Sequence, residues 1–389
     1  MKKILFGILL SAILMVGCSK EEAKDADFSG DKIEVEESAD NASDADNEEN
    51  DKKEEKEEDV MPEEGMVRSA LTNEWVDEEV ANARPIAVMM PTDEAAQPQY
   101  GIGNAEILYE VMEEGDISRQ LAVINNWQEL KKIGNIRSCR LYYIPLAMEW
   151  DSIMVHFGGV YYMRDRVMQP DFNNISGTYT DGTPETSAPG AGAFFRDSNK
   201  AAPHNAYVSA KSLTKKIDEL GYSFEHRGEY YEENHFNFSN KEIKLDEIEQ
   251  VTAIDANTVD LSNVFPVTKS KLVYNEEDGL YYKELYGKKQ IDAGTDEQLS
   301  FKNIIVQSTY YEHAQDPDGP SKYLVFQMHD STRDGYYITN GKAIKVTWKK
   351  EGGDYAPTRY YDENGDEIVM NTGKTYIAVA QYDTNVILE

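Results

Sequence analysis

The sequence predicts an α+β protein, in which a mixed α/β N-terminal module is followed by a predominantly antiparallel β C-terminal module. Before about residue 250, short apolar runs alternate with segments of helical spacing, which is typical of layered strands and helices. After it, runs rich in Tyr and Val are separated by turn signals of β-hairpins. The 389 residues, 40% of them hydrophobic, suffice for a sizeable core in one large or two ordinary domains.

The N-terminal module, which we place at residues 70–245, contains three short apolar runs that predict buried strands. These are residues 85–91, 119–126 and 152–157. Between the first two, residues 102–112 carry apolar positions at helical or mixed spacing. The alternation of such runs with helices favours an α/β layer structure.

Two further segments of this module predict helices. Residues 140–150 have helical spacing that is weakened at Pro145. The second helix follows Ser209, a plausible N-cap, and Gly221 supplies its end.

The C-terminal module, which we place at residues 250–389, is predicted from seven Tyr- and Val-rich runs. They read KLVYN, LYYKELY, NIIVQSTYY, KYLVFQM, AIKVTWKK, PTRYY and TYIAVAQY. Hairpin turns are indicated at residues 277–279 and at Asn340-Gly341 and Asn364-Gly365, the residue pair that type I′ turns prefer. Because the character of the chain changes near residue 250, we expect the two modules to fold separately.

The first 18 residues predict a lipoprotein signal peptide. Lys2 and Lys3 precede an apolar run at 4–16 that is too short to span a bilayer. The run ends in Gly17-Cys18, which resembles a bacterial lipobox, with Met15 where Leu is usual. We expect Cys18 to be lipidated and to become the first mature residue; a simple secretory signal and an uncleaved anchor are the alternatives.

Residues 19–66 are predicted to be a disordered acidic tether. Positions 19–64 hold 21 Asp and Glu against 6 Lys, with a single aromatic residue. Such a segment cannot bury enough apolar surface to offset its ordering entropy. It would serve as a spacer that lifts a globular head from the membrane, or only as a solubilising leader.

The charge of the whole chain excludes several classes of function. The formal net charge is −33, and such a chain is repelled by nucleic acid and by anionic lipid. Membrane attachment therefore needs something other than a basic patch. Two cysteines also exclude a disulfide-rich secreted scaffold.

The order of motifs along the chain resembles the YerB-like family of Gram-positive lipoproteins, whose two modules are of unknown function. The first module matches in ALTNEWVD, RPIAVMM, QPQYGIGNAEILYEVMEEGDISR, IGNIRSCRLYY, HFGG and PHNAY, and the second from LVYNEEDGLYYKELYGKKQID to GKTYIAV. Three residues depart from the family pattern: Asn73 stands where Gly is usual, Cys139 where Ala is usual and Val160 where Ser is usual. The resemblance implies an extracytoplasmic lipoprotein and no particular reaction.

Two motifs hint at catalysis, and both are weak. Cys139 lies between Arg137 and Arg140, which would lower the pKa of its thiol, but the adjacent sequence lacks the positioned histidine of cysteine transpeptidases. The Ser-x-x-Lys at 212–215 lacks the Lys-Thr-Gly element of penicillin-binding enzymes. A solvated helix face explains it better.

We predict no metal site and no cofactor. The six histidines are too widely spaced for a short ligand motif. The acidic turn at 316–319 lacks the further ligands of a calcium loop, so a plain turn is favoured.

A set of polar residues in the N-terminal module is the best candidate site, because arginine forks clamp carboxylate or phosphate and a carboxylate beside a histidine can share proton work. It comprises Glu110, Glu114, Arg119, Arg137, Arg140, His156, Arg196, His204 and Asn205. His156 follows a predicted strand and precedes two glycines, which would place it at the rim of a cleft. Three interpretations stay open: a buried network pairing Arg137 and Arg140 with the two glutamates, a ligand-binding cleft and a catalytic site.

These observations favour a lipid-anchored protein on the outer face of the cytoplasmic membrane of a Gram-positive bacterium. It would bind or scaffold proteins of cell-wall synthesis or remodelling, or wall fragments. The alternative is a hydrolase or transferase that acts on a cell-wall polymer through His156, His204 and Glu110.

Overall fold

The structure, a computed structural model, describes residues 61–178, 190, 192–315, 322–329 and 333–389. The predicted signal peptide, most of the predicted tether and the acidic turn at 316–319 lie outside the described residues. None of the helices in those ranges is both long enough and apolar enough to span a membrane.

The N-terminal part combines short strands with four short helices. Its strands are β1 (Met66–Arg68), β2 (Trp75–Asp77), β3 (Ile86–Pro91), β4 (Ile107–Met112), β5 (Ser118–Ile124), β6 (Ile133–Gly134), β7 (Ile153–His156), β8 (Asn174–Ser176), β9 (Phe195–Arg196), β10 (Ala206–Val208) and β11 (Phe238–Ser239). Its helices are α1 (Glu78–Asn82), α2 (Ile144–Met148), α3 (Arg164–Val167) and α4 (Ala210–Leu220). The three predicted buried strands are confirmed as β3, β5 and β7.

The predicted helix after Ser209 is confirmed as α4. The Ser209 hydroxyl accepts a hydrogen bond from the backbone N–H of Ser212, and Gly221 ends the helix in the left-handed conformation. The predicted helix at 140–150 is shorter than expected, a 3-10 turn followed by α2. Pro145 lies in the first turn of α2, where its missing N–H costs no hydrogen bond.

The segment at residues 102–112, whose apolar residues have helical or mixed spacing, forms a strand over most of its length. After a 3-10 turn at Ile102–Asn104, the chain forms β4, and all six residues of β4 are buried. In a strand that is buried on both faces, apolar and polar residues do not alternate. The sequence of such a strand therefore cannot be distinguished from that of a buried helix by its periodicity.

The C-terminal part is built from β-strands. They are β12 (Ile254–Asp255), β13 (Thr258–Asp260), β14 (Lys271–Asn275), β15 (Leu280–Leu285), β16 (Lys288–Lys289), β17 (Ser300–Phe301), β18 (Asn303–Thr309), β19 (Tyr311–Gln315), β20 (Lys322–Phe326), β21 (Asp334–Thr339), β22 (Lys342–Lys349), β23 (Arg359–Tyr361), β24 (Met370–Asn371), β25 (Thr375–Gln381) and β26 (Ile387–Leu388). Asn340 and Gly341 both have positive φ, 51° and 73°, as a type I′ turn requires. At the second Asn-Gly pair only Gly365 has positive φ, so that turn is of another kind.

One eleven-stranded sheet runs through both parts. Its order is β12-β22-β21-β18-β25-β4-β5-β3-β7-β8, with β23 pairing to β22. β25, near the end of the chain, lies parallel to β4 on one side and to β18 on the other. β5 is antiparallel to both of its neighbours, β4 and β3. On the other side of β3 lie β7 and then β8, and these three strands are parallel. The described residues accordingly belong to one compact unit, and the module boundary near residue 250 stays a prediction.

Candidate functional site

Seven strands of the large sheet point in the same direction, so their carboxyl ends meet at one edge; they are β22, β18, β25, β4, β3, β7 and β8. Glu113 and Glu114 follow β4, Asp93 follows β3 and Phe157 follows β7. The antiparallel strand β5 begins at this edge with Ser118 and Arg119. Open sheets of this kind place ligands in the crevice at the carboxyl ends of their strands.

Two arginines at this edge share a pair of glutamates. Arg119 Nη1 lies 2.7 Å from Glu113 Oε2 and also donates to the Ser138 hydroxyl, 2.9 Å away. Arg140 Nη2 lies 2.6 Å from Glu114 Oε2 and 3.4 Å from Glu113 Oε2. The buried carboxylate of Glu113 therefore bridges two guanidinium groups.

Arg137 has a different environment. Among the described residues, its guanidinium makes one hydrogen bond, from Nη1 to Nδ1 of His204 at 3.2 Å, and no ion pair. Its backbone is fixed in the sheet edge, because its N–H donates to Met89 O and its carbonyl accepts from Phe157 N. Arg137 is half-buried, so this cation lies partly out of water without a carboxylate of its own.

Arg196 and Asn205 extend the same surface. Arg196 Nη1 donates to Asn205 Oδ1 at 2.7 Å, and its guanidinium lies 4.5 Å from the centre of the Phe157 ring. Since Phe157 N bonds to Arg137 O, the two arginines flank one residue. We give the name arginine cleft to this group of side chains at the sheet edge, which comprises Arg119, Arg137, Arg140, Arg196, His204 and Asn205.

Burial and mutual repulsion set the charges in the arginine cleft. Burial, and then the nearby charge of Arg119, lower the pKa of Arg137. Burial also lowers the pKa of His204, with Asp93 opposing and Arg137 adding to the shift. Burial raises the pKa of Glu113 although Arg119 and Arg140 oppose it. His204 is therefore neutral at neutral pH and accepts at Nδ1, which leaves Nε2–H as a donor.

Glu110 lies outside this group. Its buried carboxylate accepts hydrogen bonds from Ser118, Ser270 and Tyr376, and Lys283 Nζ lies 3.1 Å away. The predicted network of Arg137 and Arg140 with Glu110 and Glu114 is present only in part. Arg140 pairs with Glu114, whereas Glu110 pairs with Lys283 of the C-terminal part and, among the described residues, Arg137 forms an ion pair with neither glutamate.

His156 does not lie at a cleft rim, as the sequence suggested. Its side chain is fully buried, with Nδ1 2.8 Å from Gly158 O and Nε2 3.2 Å from Asn174 Oδ1. Burial lowers the pKa of the imidazole. Both oxygens accept hydrogen bonds, so the neutral imidazole donates to only one of them at a time, either in the turn after β7 or on β8.

The catalytic motifs are explained by local structure. Cys139 is buried against Met154, and burial raises the pKa of its thiol well above the usual value, opposite to what a nucleophile needs. Ser212 caps α4 together with Ser209, and Lys215 is exposed to solvent. Within the described ranges no three His, Cys, Asp or Glu side chains are arranged to hold a metal ion.

Three neighbours of these arginines were not named from the sequence: Asp93, Glu113 and Ser138. Glu113 directly precedes the predicted Glu114, and Ser138 lies between two predicted arginines. A signal for both was therefore present in the motifs. The sequence held no such signal for Asp93, because Arg137 is brought near it by a backbone hydrogen bond to Met89 of β3, 48 residues earlier in the chain.

The comparisons with known proteins agree with this fold. Residues 71–223 match the family model described as "Protein of unknown function (DUF3048) N-terminal domain", and residues 259–377 match that of the "DUF3048 C-terminal domain". The chain belongs to the DUF3048 family. The resemblance found in its motifs is confirmed.

A curated relative of this DUF3048 chain is the Bacillus subtilis (strain 168) protein named "Putative lipoprotein YerB". The two are 25% identical over 313 residues, which cover 80% of this chain and 86% of that protein. The crystal structure of YerB protein from Bacillus subtilis matches with a TM-score of 0.66 at 21% identity, over 82% of this chain and 99% of that one. This second likeness shows the shared DUF3048 fold.

Proposed function

We propose that this protein is a lipid-anchored binding module of the cell envelope, which holds an anionic ligand in the arginine cleft. The lipid anchor is supported by the run that ends in Gly17-Cys18 and by homology to a protein named as a lipoprotein. The ligand would be a wall fragment, or a protein of wall synthesis or remodelling, that presents a carboxylate or phosphate.

The observation that carries the proposal is the side chain of Arg137. Arg119 and Arg140 have carboxylate partners, whereas Arg137 is half-buried beside them with only a neutral imidazole. An arriving anion would relieve the repulsion among the three guanidinium groups and accept hydrogen bonds from Arg137 and from His204 Nε2–H.

The geometry favours binding over the alternative of hydrolysis or transfer. The three residues named for catalysis, His156, His204 and Glu110, make no hydrogen bond or ion pair with one another in the described structure. Two of them are fully buried and already hold structural partners. A general acid or base must reach the proton that it transfers.

The binding test compares Arg137→Gln with Lys345→Gln, which removes one exposed positive charge on β22, away from the cleft. Calorimetric titration with muramyl dipeptide supplies a carboxylate ligand, and glycerol 3-phosphate supplies a phosphate. We expect Arg137→Gln to weaken binding of one of them at least tenfold, because a charge-assisted hydrogen bond is worth about 1.5–3 kcal/mol. Lys345→Gln should bind as the wild type does.

The same variants separate function from folding. We expect the free energy of unfolding of Arg137→Gln, measured in urea, to lie within about 1 kcal/mol of the wild-type value, because the guanidinium forms no ion pair with a buried carboxylate. A loss of about 3–5 kcal/mol would instead mean a buried network and would contradict the cleft. Failure of the wild type to bind either ligand would also count against the proposal.

Anchoring is tested by Cys18→Ser. Only a thiol at this position accepts diacylglycerol, and Ser keeps the apolar run. We expect the variant to lose incorporation of a labelled fatty acid completely in cells. Cys139→Ser is the matched control and should retain the label, because Cys139 is buried in the folded head. Label that persists in Cys18→Ser would refute the lipid anchor.

A further inference from the structure

A second surface feature lies apart from the arginine cleft and shares no residue with it. It is a cavity of about 670 Å³ where three distant segments meet: residues 68–73, residues 233–238, and the ion pair of Arg359 with Glu367. Small-molecule sites have volumes of roughly 300–1,000 Å³. Residues 70–73 belong to the matching motif ALTNEWVD, and Arg359 and Glu367 lie within the matching stretch of the second module. The proposed function uses neither.

The walls of this cavity are fixed before any ligand arrives. Arg359 Nη1 donates to Asn234 O at 2.5 Å and to Glu367 Oε1 at 3.0 Å. The guanidinium of Arg68 lies 4.1 Å from the centre of the Trp75 ring. A site whose side chains are already ordered loses little conformational entropy on binding.

The charges of the lining balance. Arg68 and Arg359 carry two positive charges, and Glu233 and Glu367 carry two negative ones. An ion would therefore gain little from entering, in contrast to the arginine cleft. A neutral ligand with both donors and acceptors fits such a lining, because each hydroxyl or amide finds a partner.

Amide and aromatic groups complete the lining. Asn234 and Asn237 line the cavity and are exposed to solvent, and Phe238 lines it as a half-buried aromatic residue. That ring is supported by Phe236, whose centre lies 5.7 Å away, and Phe236 is itself buried. The backbone of Asn237 is held separately, since Met370 N donates to Asn237 O at 2.8 Å.

We propose that this cavity binds a neutral saccharide that bears hydroxyl and acetamido groups. The C–H face of a sugar ring packs on Phe238, as aromatic rings pack on apolar surface. The asparagine amides and the glutamate oxygens hydrogen-bond to its hydroxyl and acetamido groups. The protein then has two sites of different chemistry, one for an anion and one for an uncharged sugar.

The test uses the full chain purified in detergent micelles and two uncharged probes. Tetra-N-acetylchitotetraose carries acetamido groups, and maltotetraose carries hydroxyls only. We expect saturable binding of the first in calorimetry, and at least a fivefold loss of affinity in Asn237→Ala, because about 1 kcal/mol is lost with one hydrogen bond. Saturable binding of maltotetraose without binding of tetra-N-acetylchitotetraose would overturn the proposal, because the ligand that it names bears acetamido groups.

Two control variants make the result specific. Asn263→Ala removes an exposed asparagine outside the cavity and should bind like the wild type. Arg137→Gln should also keep full saccharide binding, so that failure of one site does not imply failure of the other. The proposal is overturned if neither oligosaccharide binds the wild type, or if Asn237→Ala and Asn234→Ala both bind unchanged.

Discussion

Asn73 has a left-handed backbone conformation, with φ of 59°. Its side-chain amide donates to Thr372 Oγ1 at 2.8 Å and to Asn240 Oδ1 at 3.0 Å. Asparagine tolerates this conformation better than most residues with a side chain. This explains how it stands where the family pattern usually has glycine, and it adds contacts that glycine could not make.

His235 gives a pH prediction at the same scale. Its ring is buried and stacked 3.6 Å from that of Trp150, and burial lowers its pKa to about 3, with Glu149 opposing. The unfolded chain binds a proton at this histidine below about pH 6.5, whereas the folded chain does not. Its contribution to stability is thus complete above about pH 6.5 and is lost as the pH falls towards 3.

We expect the free energy of unfolding, measured in urea, to fall more between pH 7 and pH 4.5 in the wild type than in His235→Phe. The difference should reach about 2 kcal/mol, since the slope for one such group is about 1.4 kcal/mol per pH unit. His156 is also buried, and burial lowers its pKa too, so it reduces the free energy of unfolding of both proteins as the pH falls. Equal slopes in the wild type and in His235→Phe would contradict the prediction.

The positively charged residues of the arginine cleft could be named from the sequence, because their residue types and their positions in motifs are visible there. The surroundings of Glu110 could not. Its partners Ser270, Lys283 and Tyr376 lie 160 or more residues away in sequence. Only the packing of the C-terminal part on β4 brings them to the carboxylate, and no local pattern encodes that.

Among the helices and strands, those whose ends are marked by capping or turn residues could be predicted best. α4 has a capping residue, a buried face of Ala210, Leu213 and Ile217, and a terminal glycine. β4 lacks such signals and is recognisable only from its place inside the sheet. The hairpins of the C-terminal part follow from their turn residues, since Asn340-Gly341 adopts the positive φ values that its sequence favours.

The cap of α4 supports a prediction at the scale of the element. Ser209→Ala removes the acceptor for Ser212 N–H, so we expect a loss of about 1 kcal/mol in the free energy of unfolding. Urea titration followed by circular dichroism measures it. Lys215→Ala, on the exposed face of the same helix, should change stability by less than about 0.5 kcal/mol. No effect of Ser209→Ala would show that the hydroxyl does not cap the helix in solution.

At the scale of the molecule, the two parts share their sheet and their buried charges. β25 lies between β4 and β18, in register from Thr375 opposite Ile107 to Val379 opposite Val111. Two fully buried ion pairs also join the parts, Glu110 with Lys283 at 3.1 Å and Glu149 with Lys350 at 2.9 Å. The composition changes near residue 250, which marks a boundary in the sequence. The pairing of strands across that boundary cannot be predicted from the sequence of either half alone.

This arrangement predicts that the halves depend on each other. A fragment of residues 70–245 would expose the apolar edge of β4 and leave Glu110 and Glu149 without their lysines, and removing one partner of a buried pair costs about 3–5 kcal/mol. Since a domain is stable by only about 5–15 kcal/mol, we expect residues 70–245 and 255–389 each to give poorly dispersed NMR spectra when expressed alone. Co-expression should restore a dispersed spectrum, because the strands can then pair. Two dispersed spectra from the separate fragments would instead support the independent modules that the sequence pattern favours, and would mean that the shared strands and ion pairs form only after each half has folded.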